Sequence, residues 1–190
     1  MTAGGYVLAL VSIISGLAIS DVVISLNRLI RAHRRVQWDW LPLVAAAVAV
    51  GAIVVSWWFS WLIVIDPAYT PTFGRFLTAL CQLVVLYLLA CAALPDEIPD
   101  AGIDLRAYYE ENGRYFWGLY AGLTAFFLIK DVIIVGAESS AGQGPLGVIW
   151  AGAAFVAAAL LSAFRRRAIH MALVPLLLAA SILPNLAWSL

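Results

Sequence analysis

Six times along this chain an apolar run reaches the length of a membrane-crossing helix, and no water-soluble fold accommodates that pattern. A hydrocarbon core about 30 Å thick is crossed by roughly 20 helical residues rising about 1.5 Å each. The runs cover about residues 6–30, 40–65, 76–94, 115–137, 146–164 and 171–190. With 64% of the residues hydrophobic and only 12% charged, the composition lies outside the range of soluble globular domains. The expected fold class is therefore all-α: one transmembrane domain over residues 1–190, a polytopic bundle of six helices.

The connections set the orientation. Arg28, Arg31, Arg34 and Arg35 follow the first run, and Arg165, Arg166 and Arg167 follow the fifth, whereas the loops facing the other way carry only Arg75. Arginine and lysine collect on the cytoplasmic side, so both termini are expected to be extracytoplasmic. The polar segment 95–114 is then a cytoplasmic loop, in which Asp104 is placed to cap a short helix laying Leu105, Tyr108 and Tyr109 on the membrane surface. Tryptophan and tyrosine prefer the headgroup level. Trp38, Trp40, Tyr108, Tyr109, Tyr115 and Trp117 form the expected inner belt, and Tyr6, Trp57, Trp58, Trp61, Tyr69 and Trp188 the outer one.

No basic residue precedes the first run, so it reads as a retained helix rather than a cleaved signal. Arginine use with a single lysine, and abundant alanine, fit a GC-rich bacterial genome and an inner-membrane location. Equal numbers of acidic and basic residues give no field to attract nucleic acid. The expected surroundings are the lipid bilayer and, through small residues at fourfold spacing, a second copy of the chain. Those residues are Ser12, Gly16 and Ser20, Gly118 and Gly122, and Gly147 and Ala151, a spacing that marks close helix packing. Two hairpins, RRVQWDWLPLVAAAVAV and RRRAIHMALVPLLLAAS, share an arginine cluster, an early proline and an alanine-rich span.

Asp21 stands out because it lies about 13 Å above the inner end of the first helix, within the hydrocarbon. An unpaired carboxylate there costs roughly 3 kcal/mol, so it is expected to face the bundle interior. Ser25 and Arg28 follow on the same face, making a polar stripe toward the cytoplasm. Lys130 and Asp131 interrupt the fourth run; either Lys130 pairs with Asp21 in the core, or both residues snorkel to the outer headgroups. Asn27, Gln82 and Asn185 read as polar contacts between helices. Arg28, Arg31 and Arg34 recur every third residue, but at the helix end, where they set topology rather than sense voltage.

No catalytic residue, cofactor or metal site is expected. Cys81 and Cys91 share one helix ten residues apart and cannot bridge, and His33 and His170 lack a second ligand at metal spacing. Glycine-rich phosphate loops and histidine-activated nucleophiles are absent from the sequence. The leading expectation is a small ion or proton channel or transporter using Asp21, Ser25, Arg28, Lys130 and Asp131. The alternative is a non-transporting scaffold, sensor or partner subunit acting through loop 95–114. A third is the binding of a lipid or apolar ligand between helices.

GLAISDVVISLNRLIRAHRRV, a span ending SWWFSW, and LPDEIPDAGIDLRAYYEENGRYFWGL together resemble a widespread set of small, uncharacterised bacterial six-helix integral membrane proteins. That resemblance covers the first four helices and implies topology without an activity. A weaker analogy is to the bacterial and lysosomal potassium channels that carry a phenylalanine-serine-aspartate motif in their first helix. Here Ile19, Ser20 and Asp21 stand in its place, without the phenylalanine or a preceding arginine, in a helix expected to run inward.

Overall fold

The structure, a computed structural model, describes residues 3–66, 69–70, 72–130 and 145–182. Among these it is all-helical, with six α-helices: α1 (Ala3–Arg31), α2 (Trp40–Ile65), α3 (Phe73–Cys91), α4 (Leu105–Lys130), α5 (Pro145–Ala163) and α6 (Arg167–Ile182). Three of them, α1, α2 and α3, are long and apolar enough to cross a membrane.

Local chemistry explains where the helices start. Asp39 caps α2, its carboxylate accepting from Leu41 N at 2.9 Å, and Pro42 falls in the first turn, where no N–H is needed. Thr72 caps α3 through Arg75 N at 3.3 Å, so that the helix begins at Phe73, three residues ahead of the expected start. Asp104 caps α4, accepting from Arg106 N at 2.8 Å and Ala107 N at 3.4 Å.

That last cap corrects the expected loop 95–114. Its second half is not a separate surface helix but the opening turns of α4. The polar residues that make 105–114 look like a loop lie on one side: Arg106, Glu110, Glu111 and Arg114 are exposed, and Arg106 Nε donates to Glu110 Oε1 at 2.9 Å. Leu105, Tyr109, Gly113, Phe116 and Trp117 form the buried side. Tyr109 and Trp117 therefore leave the expected aromatic belt for the core, while Trp38, Trp40 and Tyr115 remain exposed. The ends expected beyond Lys130 and Ile182, with Asp131, Asn185 and Trp188, lie outside the described residues.

The helices close into a ring. α1 packs between α2 and α3, α3 against α4, α4 against α5, α5 against α6, and α6 back onto α2. α2 also reaches α3 and α4, which places it innermost, and Leu41, Ala45, Val48, Ala49 and Ile53 are all buried. Apolar side chains face outward as well: Ile13, Leu17, Val54, Val84, Val156 and Leu176 are exposed around the bundle, the pattern of helices solvated by lipid.

One end of the ring is tied together through the backbone. A 3₁₀ turn (His33–Arg35) after α1 leads to a two-residue strand β1 (Val36–Gln37), which pairs in parallel with β2 (Ile103–Asp104) just before α4. Gly102, at φ +91°, makes the approach possible, because a Cβ there would collide with the Arg35 carbonyl. Both arginine-bearing connections, after α1 and after α5, belong to this end.

Candidate functional site

α1 extends beyond α3 at this end, and the segment after α3 runs on along it in the same direction. The expected stripe of Asp21, Ser25 and Arg28 is the track it follows. Asp21 is half-buried in the seam between α1 and α3, close to Cys91 and Tyr87 of α3. Ser25 is buried and donates to Asp96 Oδ1 at 3.2 Å; Arg28 donates to the Asp96 carbonyl at 2.6 Å. Arg35 continues the descent with an ion pair to Asp100 at 3.1 Å, and Tyr108 of α4 donates to the Ala92 carbonyl at 3.4 Å. Burial, then the Asp96 charge, push the Tyr108 hydroxyl up to about 12, so it stays a neutral donor.

Three of the five expected site residues thus share one seam. Lys130 closes α4 at the far end, about 37 Å of helical rise from Leu105, whereas Asp21 sits only about 15 Å above the end of α1. Asp131 lies outside the described residues.

A second polar cluster, not anticipated from the sequence, lies beneath α2 where α4 and α6 begin. Trp117 Nε1 donates to the Tyr109 hydroxyl at 2.8 Å, Tyr109 meets His170 Nδ1 at 2.8 Å, and His170 Nε2 meets the Phe164 carbonyl at 2.8 Å. A carbonyl only accepts, so Nε2 carries a hydrogen; the Tyr109 oxygen accepts from Trp117 and shares a hydrogen with Nδ1. Every donor in this chain has an acceptor. Trp117, Tyr109 and His170 are all buried, and burial raises the Tyr109 hydroxyl well above the usual phenol range. Next to it, Arg167 at the start of α6 forms an ion pair with Asp39, the cap of α2. Among the described residues no His, Cys, Asp or Glu group forms a metal-binding cluster.

Higher in the bundle, Gln82 donates to Ser56 Oγ, joining α3 to α2 as its place in the sequence suggests, and Trp57 Nε1 donates to Ser12 Oγ at 2.9 Å. The small-residue stripes behave differently. A Cβ at Gly16, Gly118 or Gly122 would meet nothing within 4 Å among the described residues, so no described part of the chain packs closely on these positions. Gly118 and Gly122 instead line an open groove of about 480 Å³ between α3 and α4.

No protein-family model, curated protein or solved structure matches this chain.

Proposed function

We propose that the chain is a six-span inner-membrane protein with both termini extracytoplasmic, acting as a scaffold, sensor or partner subunit through a rigid cytoplasmic platform. The observation that carries this is the fate of the polar stripe. Ser25 and Arg28 hold Asp96, Arg35 holds Asp100, and β1 pairs with β2, so the connection after α3 is fixed to α1 at every step. The acids it presents, Glu97 and Asp100, with Glu110 and Glu111 of α4, are exposed on a surface already ordered. An ordered charged surface engages a partner without the entropy cost of fixing a loop. Gathering both arginine clusters at one end supports placing that end in the cytoplasm.

Movement of an ion or proton is the second reading, favoured by the half-buried Asp21 beside a thiol and a phenol that continues through Ser25 to Arg28. Proteoliposome flux separates the two. With insertion verified, the platform reading expects no flux above empty liposomes for protons or common cations, in the wild type and in Asp21→Asn alike. Flux in the wild type that Asp21→Asn abolishes would transfer the function to the seam.

A further inference from the structure

The groove between α3 and α4 is lined mostly by apolar side chains, with a single cation at one end. Cys81, Gln82 and Val85 form one wall, and the α4 wall is built on the fourfold stripe Arg114, Gly118 and Gly122, flanked by Tyr115 and running on to Phe126. The glycines leave the α4 backbone bare on the groove side, where a Cβ would meet nothing. Gln82 already donates its amide to Ser56, and the rest of the floor is apolar. From Arg114 to Phe126 the helix rises about 18 Å, close to the roughly 15 Å depth of one leaflet of a 30 Å hydrocarbon core.

Arg114 closes the cytoplasmic end. It is exposed and, among the described residues, forms no ion pair; the nearby Glu110 is occupied by Arg106. A guanidinium at the end of an apolar slot about one leaflet long is complementary to a phosphodiester on an acyl chain. A second copy of the chain fits less well. Two protomers packed on the glycine stripe by a two-fold axis along the membrane normal would set each Arg114 beside its mate, and like charges repel there.

We infer that the α3–α4 groove binds one inner-leaflet glycerophospholipid, with an acyl chain over Gly118 and Gly122 and the phosphate on Arg114. This rests on the six-span reading only in placing Arg114 at the cytoplasmic side, and is independent of whether the platform recruits a partner or the seam conducts.

The test is native mass spectrometry of the purified full chain titrated with phosphatidylglycerol and, separately, with diacylglycerol, which lacks the phosphate. Wild type should retain one phosphatidylglycerol in preference to diacylglycerol. Arg114→Gln should weaken phosphatidylglycerol roughly tenfold and leave diacylglycerol unchanged. Gly118→Leu with Gly122→Leu should remove both, at unchanged thermal stability in lipid-free detergent, since the added side chains enter open space. Equal retention by all three proteins overturns the proposal. So does a wild-type dimer that the leucine variant converts to monomer without change in bound lipid, which would assign the groove to a second copy. Flux and topology do not enter the readout, so its failure leaves the proposed function standing.

Discussion

The two polar clusters of this molecule differ in how completely they are closed. Along α1 and α3, Asp21, Cys91 and Tyr87 meet in a seam with a half-buried carboxylate and an exposed phenol ring. Beneath α2, Trp117, Tyr109 and His170 are all buried, and their hydrogen-bonded chain reaches the surface only at its last acceptor, the carbonyl of exposed Phe164. A closed network in low dielectric is costly to interrupt, because each removed partner strands another inside the protein. An open seam lets solvent or headgroups replace what is lost. The polar residue most visible in the sequence, Asp21, therefore belongs to the more tolerant cluster, and the ones hardest to see belong to the structural keystone.

Substitutions can break that contrast. The largest effect is expected at Asp39, which both caps α2 and neutralises Arg167 at the foot of α6. Asp39→Ala leaves a part-buried guanidinium without its partner and should cost roughly 3 kcal/mol in detergent unfolding, with Asp39→Ala/Arg167→Met regaining part of it. Next comes Tyr109→Phe, which removes one oxygen and strands both the Trp117 N–H and the His170 ring nitrogen. A loss of about 2 kcal/mol, with a shift in tryptophan emission, is the expected result. Smallest is Asp21→Asn, expected to change stability by less than about 1 kcal/mol in the same assay. If Asp21→Asn proved the most damaging of the three, the ranking of open and closed clusters would be reversed.

How much of this was legible depended on whether the signal was local. The bounds of α2 agree with expectation because Asp39, Pro42 and an uncharged run are all written within one segment. The start of α4 was hidden, because Arg106, Glu110, Glu111 and Arg114 dominate the composition of 105–114 and mask the buried positions between them. The spacing of Leu105, Tyr109, Gly113, Phe116 and Trp117 was the readable clue, a helical period beneath a polar average. The Tyr109–His170 and Asp39–Arg167 contacts join residues far apart in the chain, and no local pattern announces them. The stripe of Asp21, Ser25 and Arg28 was visible as a face, but what lay on it, the segment through Asp96, required the fold.

The short pairing of β1 with β2 has a mechanical consequence. α1 and α4 do not pack along their lengths, yet the main-chain ladder between Val36–Gln37 and Ile103–Asp104 couples the foot of one to the foot of the other. Helices tilt to match bilayer thickness. A tilt imposed on α1 by a thinner membrane is thus conveyed across the bundle by peptide groups, a linkage that tolerates many side-chain replacements but not the loss of Gly102.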